Sequence, residues 1–330
     1  MPSYSLTLLL SYSLTSLTLL PLSLSYTSCT FSLGLHSHSK LKSVNKKIYV
    51  VTGANHGIGL ETSRALAAGG AKVLLVTRTQ EKGETAMADI HVTHPDADLE
   101  NYVADLSLLQ DMRNAAKAIS EKHPVIDGLI NNVGTWMSDH VLTSEGIETV
   151  FATNHLSYFM MTHLLYPALR KAKFARVVNV ASNAHHYGRI KIEDPGYAHG
   201  YHGLKSNGQS KLANIYFTFE FHHQKPDEHV SVYAVSPGLV KTDIGLKHTT
   251  WLHAFAWKFR RRKGQTPAEG ARTSVFCATD PNIQAVSGKY WESCEVKPVF
   301  KSAQDPELGK QLWLLSKRMC GIKDYFWREA

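Results

Sequence analysis

Three glycines in one short turn are the first residues in this chain whose types and spacing point to chemistry. The turn Thr52-Gly53-Ala54-Asn55-His56-Gly57-Ile58-Gly59 follows the apolar run Lys47 to Val51 and leads straight into a helix-forming stretch. A pyrophosphate needs backbone N–H groups at a helix N-terminus and no Cβ atoms in its path, and Gly53, Gly57 and Gly59 meet both needs. Asn55 and Ile58, inside the same turn, are grouped with them as cofactor-binding. The next apolar run ends at Val76-Thr77-Arg78, where many NAD sites place an acid to accept the ribose 2′-hydroxyl. Arg78 cannot accept that bond but can pair with a 2′-phosphate, which favours NADP(H) and leaves NAD(H) open. Metal chemistry is not expected. The 18 histidines include the pairs His185-His186 and His222-His223, yet no HExxH or Cys/His spacing brings three ligands together.

These groups need elements to hold them. Short apolar runs alternate with helical patterns: strands at Lys47 to Val51, Lys72 to Thr77, around Tyr102-Val103, Gly128 to Asn131, Arg176 to Val180 and Val230 to Val235. Helices are predicted between them over Leu60 to Ala68, Glu81 to Ile90, Leu109 to Glu121, Glu148 to Ala172 and Ser210 to Phe221. Such repetition predicts an α/β fold, a doubly wound parallel sheet of Rossmann type in three α/β/α layers and a single domain. Near the C-terminus Asp305 can cap a packing helix that begins at Pro306, carries Leu308, Leu312, Leu315 and Met319 on one side, and stops at Gly321.

The charge is uneven. Across 330 residues the formal net charge is +8, yet residues 1–39 carry no Lys, Arg, Asp or Glu. The excess sits in two clusters, Lys40 to Lys47 and Lys258 to Lys263, and the remainder is close to neutral, so nucleic acid is not the expected partner. Residues 1–39 are mostly Leu, Ser and Thr, and Leu6 to Tyr26 is uncharged, with Pro21 inside it. Residues 1–44 therefore read as a low-complexity leader or a membrane anchor, ahead of a domain over 45–330. As an anchor, the lysines after it would hold the domain on the cytosolic side, for example at the endoplasmic reticulum; as a leader, it would target an organelle. The mixed aromatic and basic stretch Trp251 to Lys263 fits either a peripheral membrane contact or a substrate lid. Four cysteines without close spacing, and no N-x-Ser/Thr sequon, fit a reducing intracellular compartment. The oligomeric state cannot be read from these features.

The chain resembles the short-chain dehydrogenase/reductase family, in its retinol-dehydrogenase-like and WW-domain-oxidoreductase-like branch, over about residues 45–325. Thr52 to Gly59 is similar to the family's TGxxxGIG turn. Asp105 in Ala104-Asp105-Leu106 resembles the acid near the adenine, and Asn131-Asn132-Val133-Gly134 resembles NNAG, with Asn132 at the cofactor. Thr153-Asn154-His155-Leu156 resembles the helix with the tetrad Asn, and Asn179-Val180-Ala181-Ser182 the strand end with the catalytic Ser. Ser236-Pro237-Gly238, with Thr242 beyond, resembles the loop over the nicotinamide. The resemblance implies hydride transfer between NADP(H) and a lipophilic alcohol or carbonyl compound, in a pocket formed by residues 187–206 and 240–265.

One position departs from the pattern. The family places a Tyr four residues before a Lys, on one helix face, where the ammonium lowers the phenol's pKa and holds the nicotinamide ribose. Here Gln209-Ser210-Lys211-Leu212-Ala213-Asn214 fits, but the Tyr position is Asn207. An amide has no usable pKa near neutrality, so Asn207 can donate a hydrogen bond but not a proton. The implied catalytic set is Asn154, Ser182, Asn207 and Lys211, with Lys211 also on the cofactor. Tyr197, Tyr201 and His202 lie upstream without the one-turn relation to Lys211. Two activities follow: an oxidoreductase impaired at proton transfer, or a catalytically silent dinucleotide-binding protein that interacts or senses cofactor.

Overall fold

The computed structural model describes residue 44 and residues 46–241 and 264–327. Residues 1–43 of the leader, Thr242 and the stretch Trp251 to Lys263 lie outside the described residues. Among the described residues, eight strands form one sheet in the order β3-β2-β1-β4-β5-β6-β7-β8. They are β1 (Ile48–Thr52), β2 (Lys72–Thr77), β3 (Leu99–Val103), β4 (Gly128–Asn131), β5 (Ala175–Val180), β6 (Val230–Ser236), β7 (Lys289–Glu292) and β8 (Glu295–Val296). All neighbouring pairs are parallel except β7 with β8.

The helices are α1 (Gly57–Ala68), α2 (Gln80–Thr93), α3 (Leu109–Lys122), α4 (Thr149–Phe151), α5 (Ser157–Leu169), α6 (Gly203–Gln224), α7 (Pro267–Thr279) and α8 (Pro306–Met319). Alternate strand residues face opposite layers, as the pleat requires. Tyr49, Val51, Val73, Leu75, Ile130, Val178 and Val235 join one core with Leu66 of α1, Ile90 of α2 and Cys277 of α7. Val50, Leu74, Val76, Leu129, Val177 and Val232 join the other with Met112 of α3, Phe159 of α5, Leu212 of α6 and Trp313 of α8. This is the doubly wound three-layer sandwich that the alternation predicts. The strand order reverses between β1 and β4, so the crevice for a ligand lies beyond Thr52 and Asn131.

Two departures from the sequence pattern matter at the site. The helix expected over Glu148 to Ala172 is not uniform: between α4 and α5 the turn Ala152–Leu156 is π-helical. Helix α6 begins at Gly203 rather than Ser210, capped by the His202 side chain, so Asn207 and Lys211 share one continuous helix. At the C-terminus, Asp305 accepts from the N–H groups of Glu307 and Leu308 and starts α8 as expected, while Gly321 takes φ +66° just past its end. Strands β7 and β8 and helix α7 were not expected from the sequence, although α7 opens on a readable signal, the capping box Thr266 to Glu269 with Pro267 at its first position. The strands are four and two residues long, and α7 is rich in small residues that leave a weak apolar period.

Candidate active site

The glycine turn is built by close contact rather than by side-chain bonding. Gly53 takes φ +64° and Gly57 φ +58°, both in the left-handed region that glycine enters without a Cβ penalty. A Cβ on Gly59 would sit 2.3 Å from the Gly53 carbonyl oxygen and 2.5 Å from Asn132 Nδ2, so only glycine closes the turn. No side chain caps α1, whose N-cap His56 is extended, and its first-turn N–H groups are of the kind that hold an anion. Thr52 ties the turn to β4: Asn132 N and Val133 N donate to Thr52 Oγ1 at 2.9 and 3.1 Å. Asn132 Nδ2 donates to the Thr52 carbonyl at 2.9 Å, so this side chain braces the turn. Ile58 points to α7, where a Cβ on Gly270 would lie 3.4 Å from its Cγ1. Asn55 is half-buried within the turn.

At the end of β2 the Arg78 guanidinium is 55% exposed, with Nε 3.6 Å from Asp105 Oδ2. Asp105 Oδ1 accepts from Ser107 N and Ser107 Oγ at 2.9 and 2.7 Å, which holds the carboxylate at the rim beside Arg78. Glycine without Cβ, a helix start without a side-chain cap and an exposed cation at the neighbouring strand end fit a dinucleotide. Pro237 and Gly238 follow β6, with Gly238 at φ +71° and its N–H donating to Ser236 Oγ at 3.3 Å. Thr242, four residues on, lies outside the described residues.

The structure brings Asn154, Asn207 and Lys211 together around α6, and places Ser182 at the adjoining end of β5. The approach is backbone against backbone: a Cβ on Gly188 would lie 2.3 Å from the Gly208 carbonyl oxygen, and one on Gly208 would lie 2.8 Å from Gly188 N. This contact seats α6 on the segment after Ser182. Asn154 Oδ1 accepts from Thr135 N at 2.7 Å, and its Nδ2 faces the Thr135 carbonyl at 3.1 Å, Ser210 Oγ at 3.1 Å and Asn207 Oδ1 at 3.4 Å. Ser182 Oγ accepts from Ala184 N at 3.1 Å. Lys211 Nζ donates to the Val180 carbonyl at 2.9 Å and lies 5.6 Å from the centre of the Tyr158 ring. Burial lowers the Lys211 pKa to about 8. A buried ammonium loses hydration that one carbonyl does not replace.

The tyrosines near the site are engaged elsewhere. Tyr197 donates to the Arg189 carbonyl at 3.2 Å. Tyr201 donates to the Met137 carbonyl and to Glu148 Oε1, each at 3.3 Å. Tyr158 is fully buried and donates to the Val133 carbonyl at 2.8 Å; burial raises its phenol pKa far above neutrality. His202 Nδ1 accepts from Leu204 N at the start of α6.

Sequence reasoning missed a clasp behind Ser182. Tyr290 OH donates to Asn183 Oδ1 at 2.9 Å, and Asn183 Nδ2 to Glu292 Oε1 at 2.7 Å. Ser236 Oγ donates to the same Glu292 oxygen at 3.3 Å. Glu292, on β7, thus ties the segment after β5 to the end of β6. It sits in a strand without a sequence signal, so no pattern could have found it. Ser210 was passed over for another reason: a serine on a helix says nothing until Asn154 is seen against it.

A parallel sheet with a glycine-lined turn at its switch point defines a dinucleotide-binding α/β protein. Comparison with known proteins narrows the class. Residues 47–253 match the short chain dehydrogenase family. Retinol dehydrogenase 12 of Homo sapiens is 36% identical over 277 residues, which cover 84% of this chain and 87% of that protein. Dehydrogenase/reductase SDR family member 13 of Homo sapiens is 36% identical over 280 residues, covering 83% of this chain and 73% of that protein. Among solved structures, an uncharacterised protein from Mycobacterium paratuberculosis aligns with TM-score 0.68 at 30% identity, over 86% of this chain and 97% of that one. A short chain dehydrogenase from Escherichia coli CFT073, complexed with NADPH, shares the fold with TM-score 0.61 at 22% identity, over 78% of this chain and all of that one (100%). The chain belongs to the short-chain dehydrogenase family, in its retinol-dehydrogenase-like branch. That is a family of NAD(P)(H) oxidoreductases.

Proposed function

We propose that this chain binds NADP(H) and acts on a lipophilic alcohol or carbonyl compound, with turnover impaired at the proton-transfer step because Asn207 stands where the family carries its catalytic Tyr. The observation that carries the reading is the company Asn207 keeps: its amide lies 3.4 Å from Asn154 Nδ2, one helical turn from Lys211. The glycine turn with Asn55 and Ile58 would hold the pyrophosphate, Arg78 a 2′-phosphate, Asp105 the adenine side, and Asn132 the turn itself. Pro237, Gly238 and Thr242 would cover the nicotinamide, and Lys211 would hold its ribose. A bound dinucleotide would give a hydride to a carbonyl substrate in its reduced form or take one from an alcohol in its oxidised form. Ser182 would hold the substrate oxygen by a hydrogen bond, and Asn207 can add a second one. Neither can deliver a proton at neutral pH, whereas a phenol beside an ammonium can.

A lipophilic substrate is supported by relatives named retinol dehydrogenases, 36% identical in the case of the human protein numbered 12. Among the described residues no helix is long and apolar enough to cross a membrane. Any membrane contact would therefore rest on the leader or on Trp251 to Lys263. The second reading, a silent NADP(H)-binding protein that interacts or senses cofactor, is favoured by the engagement of Tyr158, Tyr197 and Tyr201 with other acceptors. Asn207→Tyr, compared with the unaltered chain using NADPH and a panel of retinal-like, steroid and aliphatic carbonyl substrates, separates the two. Weak turnover in the unaltered chain that rises in Asn207→Tyr supports the impaired enzyme; turnover in Asn207→Tyr alone supports the silent protein. Equal activity in both, or none in a folded, cofactor-bound Asn207→Tyr, overturns the assigned defect.

A further inference from the structure

A buried chain of polar side chains runs from the C-terminal helix to the amide cluster at position 207. Ser316 Oγ on α8 lies 2.8 Å from His155 Nε2, and His155 Nδ1 lies 3.2 Å from Asn214 Oδ1. Asn214 Nδ2 donates to the main-chain carbonyl of Asn154 at 2.8 Å. All four residues are buried, none more than 1% exposed.

The direction of every bond follows from its end point. A carbonyl oxygen only accepts, so Asn214 must present its NH₂ to Asn154 and its oxygen to His155. That oxygen also only accepts, so His155 must carry its proton on Nδ1. Burial lowers the His155 pKa to about 4, so the ring is neutral and Nε2 has a lone pair. Ser316 must then donate to Nε2, although its hydroxyl also lies 2.8 Å from the Leu312 carbonyl. The Nε2–H tautomer would instead set two lone pairs, on Nδ1 and on Asn214 Oδ1, against each other at 3.2 Å.

The bond at the far end falls on the π turn Ala152–Leu156, wound more widely than the α-helical segments around it. We propose that Ser316 and His155 are positioning residues which, through Asn214, hold the Asn154 main chain, so that helix α8 sets the geometry of the cluster Asn154, Asn207 and Ser210. Helix α8 lies beyond residues 47–253, the part of the chain that matches the family. The functional consequence rests on the oxidoreductase reading; the bonded chain does not.

Two measurements test this. In the full chain with nitrogen-15 histidine and asparagine, NMR should give His155 as the Nδ1–H tautomer. Ser316→Ala should then shift both the His155 Nε2 signal and the Asn154 side-chain amide signals, and Ser316→Thr, which keeps the hydroxyl, should restore them. His155→Gln, as a second variant, should move the Asn154 amide signals as Ser316→Ala does. In the Asn207→Tyr background, Ser316→Ala should lower kcat about tenfold with KM for NADPH within about twofold, because misplacing a group at the reacting centre costs rate rather than remote binding. An Nε2–H tautomer, or Asn154 amide signals that neither variant moves, overturns the proposal. An inactive Asn207→Tyr protein overturns the functional reading alone, since the NMR result still decides the link.

Discussion

The half of the sheet around β1, β2 and β4 and the half around β5, β6 and α6 belong to one fold but differ in completeness. In the first, the features proposed to hold a dinucleotide stand together: left-handed glycines, a Cβ-free approach at Gly59, a helix start without a side-chain cap, and Arg78 at the strand end. In the second, Asn154, Ser182 and Lys211 stand where the proposed mechanism uses them, and the position that it assigns to proton transfer holds Asn207. On the proposed reading, binding rests on backbone shape, which tolerates no added atom, and proton transfer on one functional group, which a single substitution removes. The two properties are therefore separable.

The largest effect should come from repairing the incomplete half. Asn207→Tyr should raise turnover by about 10²–10⁴, the usual contribution of a positioned acid–base group, with the NADPH dissociation constant nearly unchanged. Stopped-flow and binding titration check both parts, and a comparable change in affinity would merge the two halves. Next comes Lys211, whose folded-state pKa near 8 lies below its ordinary 10.5. Between those values the unfolded chain binds more protons, so stability of the cofactor-free protein should rise with pH across that window. Below it the burial penalty is complete. Lys211→Met should remove the pH-dependent rise and stabilise the cofactor-free protein at pH 7 by up to roughly 3 kcal/mol, read by urea unfolding.

The complementary break is Gly59→Ala. It should weaken dinucleotide binding by about tenfold or more, through an overpacking cost of about 1–3 kcal/mol, while the sheet's circular dichroism is kept. Retained affinity would mean that the turn is not the binding surface. The smallest effect is expected from Arg78→Asp, which should shift the NADPH-to-NADH affinity ratio toward NADH by about tenfold, since a charge-assisted bond at a half-exposed site is worth about 1.5 kcal/mol. An unchanged ratio would remove Arg78 from cofactor choice.

Much of the site was legible in the sequence because its parts are local. The glycine turn is eight consecutive residues, and Asn207 and Lys211 are one helical turn apart, so spacing alone puts them on one face. Asn183, Glu292, Ser316 and Asn214 were not legible. Each becomes part of the site through contacts spanning tens to more than a hundred residues, as with Asn183 and Glu292 at a separation of 109 or His155 and Ser316 at 161. The π turn at Asn154 was hidden for a related reason: an apolar pattern of period near 3.6 continues through it, and only the packing partners reveal the wider winding.

The sequence by itself determined the alternation of strands and helices, the Cβ-free turn, the one-turn spacing of Asn207 and Lys211 and the cap of the last helix. These follow from periodicity, side-chain absence and short-range hydrogen bonding, which need no knowledge of the rest of the chain. Only the tertiary structure decided which carbonyl holds Lys211, that Gly188 and Gly208 seat α6 against the segment after Ser182, and that Ser316 of the last helix meets His155. Those are meetings of groups far apart in the chain, and burial gives each of them its weight by leaving a polar atom no water to turn to.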